Sequence, residues 1–108
     1  MIGLEELYNA LEGTGYPVAN IAFERKVSVP FIVIMPEGSE NFIADNKVYK
    51  KFEDVEIELY TDKRNLEAES SVEKILDGWS IPYQSTAFFI ADENLLKTTY
   101  SITIKGGK

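Results

Sequence analysis

Apolar residues recur at helical spacing at the start of the chain, where Leu4, Leu7, Tyr8 and Leu11 form one stripe and Glu5, Glu6 and Glu12 lie off it. The first dozen residues are therefore expected to form an amphipathic helix, ended by Gly13, Thr14 and Gly15. Pro17 holds Tyr16 extended, and residues 18–23 are apolar enough for a first strand. Residues 30–35, Pro-Phe-Ile-Val-Ile-Met, form a continuous β-branched run expected of a strand buried on both faces. Turn-forming residues fill 36–41, and 42–49 reads as a hairpin of two short arms around residues 44–47. From Val55 the pattern alternates, with Val55, Ile57 and Leu59 on one face and Glu56, Glu58 and Tyr60 on the other.

Asn65 stands where a cap is needed before a second helix, whose first turn carries Glu67 and Glu69 and whose apolar stripe is Leu66, Val72, Ile75, Leu76 and Trp79. Gly78 marks its end. Two further strands follow, an apolar one at 86–91 and one at 95–104 with Leu96, Tyr100, Ile102 and Ile104 inward, separated by a turn at 92–94. The connections are too short for crossovers except through the second helix. The expected fold is α+β: a mixed, antiparallel-dominated sheet of about five strands with two helices packed on one face. The 108 residues fit one domain.

Charge and composition narrow the function. Eighteen acidic against eleven basic residues leave a net charge of −7, which repels phosphate backbones, so sequence-specific nucleic-acid binding is not expected. No apolar run approaches the length of a membrane span, and the opening residues, rich in glutamate, are unlike an export signal. A membrane partner is not expected either.

The chain has neither histidine nor cysteine, which removes Ser-His-Asp and Cys-His nucleophiles and imidazole or thiolate zinc sites. Glu56 and Glu58, roughly 7 Å apart along one strand face, have a spacing used by paired carboxylates in hydrolysis or metal binding, but alternating acids also make the ordinary solvated face of a strand. The Gly13-Thr14-Gly15 turn follows a helix and lacks the lysine of a phosphate loop. Glu40, Asp45 and Asn46 offer oxygen ligands without the spacing of a calcium loop. Lys47, Lys50 and Lys51 beside Tyr49 and Phe52 either meet an acidic partner or a phosphate or protect a sheet edge. Trp79 is expected in the core, with Tyr49, Tyr60 and Tyr83 better placed for an interface. No catalytic residue, metal or cofactor is expected, and the chain is read as a binding protein rather than an enzyme.

Residues 41–51, Asn-Phe-Ile-Ala-Asp-Asn-Lys-Val-Tyr-Lys-Lys, and 55–63, Val-Glu-Ile-Glu-Leu-Tyr-Thr-Asp-Lys, together with Leu4-Glu5-Glu6-Leu7-Tyr8 and residues 14–19, resemble a family of small proteins from prophages and long-tailed phages of Gram-positive bacteria. That resemblance implies tail completion, tail termination or head-to-tail joining. The role is that of a non-enzymatic structural protein, a minor component of the virion, assembled in the host cytoplasm and then carried at the head–tail region. It implies a cyclic homo-oligomer, expected as a six-fold ring, that meets tail-tube or connector proteins. The segment from Pro36 to Tyr49 is expected to be the reaching arm, and the interface residues expected on and beside it are Glu37, Ser39, Glu40, Asn41, Phe42, Asp45, Asn46, Lys47, Tyr49 and Lys50. The alternative is a monomeric regulatory or adaptor domain that binds one cellular protein.

Overall fold

The computed structural model describes residues 2–37 and 52–106. Helix α1 (Leu4–Glu12) leads into strands β1 (Val18–Asn20), β2 (Phe31–Pro36) and β3 (Phe52–Thr61), then helix α2 (Leu66–Gly78) and strands β4 (Gln84–Ile90) and β5 (Leu95–Lys105). The strands form a five-stranded sheet in the order β1-β2-β3-β5-β4. β1 runs parallel to β2, and every other neighbouring pair is antiparallel. The fold is thus α+β with a mixed, mostly antiparallel sheet. The hairpin expected at 42–49 lies outside the described residues.

Local chemistry accounts for the helix ends. At the start of α1 the Gly3 N–H donates to Glu6 Oε1 at 2.9 Å, and the acids of the first turn sit at the positive end of the helix dipole. Its last turn closes through the Gly13 N–H on Ala10 O and the Thr14 hydroxyl on Leu11 O. Gly15 then takes φ +89°, a conformation that glycine adopts without steric cost. Asn65 caps α2 as expected, its Oδ1 accepting from the Ala68 N–H at 3.0 Å.

One buried cluster joins Leu7 and Leu11 of α1 with Ala68, Val72 and Leu76 of α2 and with Ile32, Ile34, Val55, Ile57, Leu59, Tyr100, Ile102 and Ile104 of the sheet. Strand pairing sets those sheet residues on a single face, with Ile34 opposite Ile57 and Ile57 opposite Tyr100. At about 1.5–3 kcal/mol for each fully buried aliphatic side chain, this layer is the main source of stability. The Tyr100 ring meets Tyr83 edge to face, and its hydroxyl donates to Glu73 of α2 at 2.9 Å.

Several expectations need correction. The first strand stops at Asn20 rather than 23, because Ile21 adopts φ +71° and the Ala22 N–H folds back onto Asn20 O. A crossover also occurs without a helix, between parallel β1 and β2. A three-residue strand spans only about 10 Å, so residues 21–30 suffice to return the chain. Trp79 is 42% exposed and Leu66 65% exposed. The buried stripe of α2 is Ala68, Val72 and Leu76 at strict i, i+4 spacing; Leu66 lies roughly 200° around the helix from Ala68, and Trp79 stands at the C-cap, outside the helical turn.

Candidate interaction surface

The second face of the sheet takes the residues between those of the core. Pairing aligns Phe31 with Tyr60, Tyr60 with Lys97 and Lys97 with Phe88, which makes a row across β2, β3, β5 and β4. Phe31 and Tyr60 stack with centroids 4.8 Å apart and planes at 18°, and Phe23 meets Phe31 edge to face at 5.5 Å. Val33 and Glu58 are buried on this face but lie outside the helix-bound cluster.

The alternation read from sequence had Glu58 solvated, yet it is only 6% exposed. Its carboxylate accepts from the Tyr60 hydroxyl at 2.8 Å and faces Lys97 Nζ at 3.9 Å. A buried acid needs such partners, since an unpaired one carries a large desolvation cost. Burial, and then the hydrogen bond to Glu58, push the Tyr60 phenol well above its ordinary value. The trio fixes two charges and a hydroxyl among aromatic rings. Glu58 is thereby engaged by Tyr60 and Lys97, while Glu56 lies between Met35 and Ser101, so the two acids do not converge on a common partner. Among the described residues no group of three or more acids is placed to hold a metal.

The two margins of the sheet differ. β1 is three residues long, and its carbonyls at Val18 and Asn20 already accept hydrogen bonds, from the Tyr8 hydroxyl at 2.9 Å and the Ala22 N–H at 2.8 Å. Beside it an open groove of about 800 Å³ runs between α1 and residues 22–27, with Leu4, Tyr8, Val18, Phe23 and Val27 among its walls and Glu5, Glu24 and Arg25 at its polar parts. β4 is seven residues long, and all of it from Gln84 to Phe89 is exposed. Phe88 and Phe89 are 64% and 52% exposed, on opposite faces. The strand has no charged residue and no proline, and its register on β5 runs without a bulge from Gln84 opposite Ser101 to Ile90 opposite Leu95.

Of the interface residues expected on and beside the arm, only Glu37 is described; Pro36, the expected start of the arm, ends β2 opposite Val55. Glu37 follows β2, exposed, with its N–H on Asp54 O at 3.0 Å. Ser39, Glu40, Asn41, Phe42, Asp45, Asn46, Lys47, Tyr49 and Lys50 lie outside the described residues, as does Lys51. Phe52 opens β3 and is 60% exposed. Of the tyrosines expected at an interface, Tyr60 is tied to Glu58 and Tyr83 packs against the core. Sequence reasoning passed over β4 as a surface. Its only signal was a charge-free run, residues 84–90, in a strongly acidic chain.

No protein-family model matches the chain, and a search of curated proteins finds no significant match.

Proposed function

We propose that the protein is a non-enzymatic assembly component of a long-tailed phage or prophage virion, acting in tail completion or head-to-tail joining through contacts with its own copies and with tail-tube or connector proteins. The observation that supports action by contact between copies is the exposed margin at β4, where two phenylalanines stand in solvent on a strand free of charge. The resemblance of residues 41–63 to small tail-morphogenesis proteins supports the choice of partner. In this reading copies close into a six-fold ring by head-to-tail contacts, and the acidic balance of the chain lets DNA pass without adhering.

The test is electron microscopy of lysates from the parent phage after deletion of the gene, with complementation by the intact gene. Overlong tail tubes beside tailless, filled heads would assign termination. Free tails of normal length beside filled heads would assign joining. Intact infectious particles would end the assembly reading and leave a monomeric adaptor that binds a single cellular protein.

A further inference from the structure

We infer that β4 is a self-pairing edge: two copies of the chain join β4 to β4, antiparallel about a two-fold axis, into one continuous sheet. Natural proteins blunt exposed strand edges with charge, proline, bulges or very short strands. β1 shows this management, being short and having its Val18 and Asn20 carbonyls occupied. β4 shows none of it, although it is seven residues long and carries two exposed phenylalanines.

The occupant follows from closure. A foreign strand laid on β4 brings an outer edge of its own, whereas the β4 of a second copy covers both bare edges at once. The joined sheet then ends on β1 at each side, where the outward carbonyls at Val18 and Asn20 already have partners. Charge agrees with an antiparallel arrangement. Centred on Ala87, the middle of β4, the pairing keeps all seven residues in register and sets Thr86 opposite Phe88 of the second copy. The acidic turn at Asp92 and Glu93 then falls beside the neutral residues Ile81 and Pro82 of the other chain rather than beside its acidic turn. A parallel arrangement brings the two acidic turns together in a chain whose net charge is already −7. The two Phe88 rings become diagonal neighbours on one face, within reach of each other. The aromatic rows Phe31, Tyr60, Lys97 and Phe88 of the two copies then meet across the axis.

This contact is symmetric and does not by itself close a ring. It is therefore separate from the head-to-tail contacts of the tail reading, and its test does not depend on phage material. The experiment is sedimentation equilibrium of the purified chain over about 1–200 μM, a range suited to an interface built on one strand pair. Wild type is expected in a monomer–dimer equilibrium. Phe88→Glu, at an exposed position opposite Lys97, should raise the dissociation constant by about 100-fold or more, because the change acts twice across the axis, while circular dichroism stays as in wild type and so does Tm at concentrations below the wild-type dissociation constant. The chain has no native cysteine, so Ala87→Cys reports the axis directly. Opposed β carbons lie about 4.5–5.5 Å apart, and mild oxidation should give a disulfide-linked dimer that Lys74→Cys on α2 does not give. A wild-type monomer throughout the range overturns the proposal. So does a dimer or larger oligomer that survives Phe88→Glu and is not cross-linked through Ala87→Cys.

Discussion

Tyr100→Phe tests whether the hydroxyl that ties the sheet to α2 contributes as its geometry indicates. Tyr100 has no exposed surface and donates to Glu73 Oε2 at 2.9 Å, so removing the oxygen leaves the ring packed against Tyr83 and deletes one hydrogen bond to a carboxylate. Such bonds contribute about 1.5–3 kcal/mol. Glu73 is only partly buried and recovers hydration, so the lower end, about 1.5 kcal/mol near pH 7, is expected. The effect must also depend on pH. Burial, and then the bond to Glu73, raise the Tyr100 phenol above its ordinary value. A raised folded-state value means that this stabilisation is complete below the unfolded value near 10 and is lost as pH climbs above it. At about pH 11 the unfolded phenol has ionised and the native one has not, which costs wild type about 1.4 kcal/mol that Tyr100→Phe does not lose. The two stability curves should therefore nearly meet by about pH 11. Urea unfolding followed by far-UV circular dichroism at several pH values measures both quantities. A cost under about 0.3 kcal/mol near neutrality, or a gap that stays constant to pH 11, would refute the reasoning.

Other outcomes follow from the same geometry. Asn65→Ala removes the acceptor for the Ala68 N–H and should cost about 1 kcal/mol in chemical denaturation, with Asn65→Asp close to wild type. Leu76→Ala, in the fully buried stripe of α2, should cost about 2–5 kcal/mol, whereas Leu66→Ala, 65% exposed on the same helix, should cost under about 1 kcal/mol. Ile21→Asn should raise Tm, because an exposed β-branched residue at φ +71° stores about 1–2 kcal/mol that asparagine largely avoids. In an alkaline titration followed by phenolate absorbance, Tyr60 and Tyr100 should ionise only together with unfolding, since burial and a carboxylate hold both above the ordinary value.

The parts of the fold legible in the sequence are those where one local force decides. Periodicity alone placed α1 and β3, and the cap at Asn65 located the start of α2 to the residue. Legibility ended where a tertiary partner or a backbone torsion decides. The pattern around Ile21 reads as strand, and only the turn onto Asn20 shows why β1 stops. Glu58 alternates like a solvated residue, yet Tyr60 two positions away and Lys97 on β5 give it partners that make burial tolerable. The tyrosine was visible beside it in sequence. The lysine, thirty-nine positions on, was not. Leu66 and Trp79 were assigned to the core because a stripe drawn through large residues passes over Ala68, the small residue that lets α2 approach the cluster.

β4 shows how one hydrophobic pattern serves two physical ends. Thr-Ala-Phe-Phe-Ile is what a strand inside a sheet requires, and sequence cannot separate burial within the chain from burial against another chain, because both remove the same apolar surface from water. The sheet order separates them. With β5 between β3 and β4, the run at 84–90 falls at the margin, where its phenylalanines meet solvent rather than the helices. Stability within a single copy gives little reason to keep two rings there, since exposed aromatic surface adds aggregation risk without adding to the core. Phe88 and Phe89 contribute nothing to the buried cluster. The apolar margin is therefore best explained by a contact made outside the chain, and β4, longer than β1 and exposed along its length, is the side of the sheet proposed to make it.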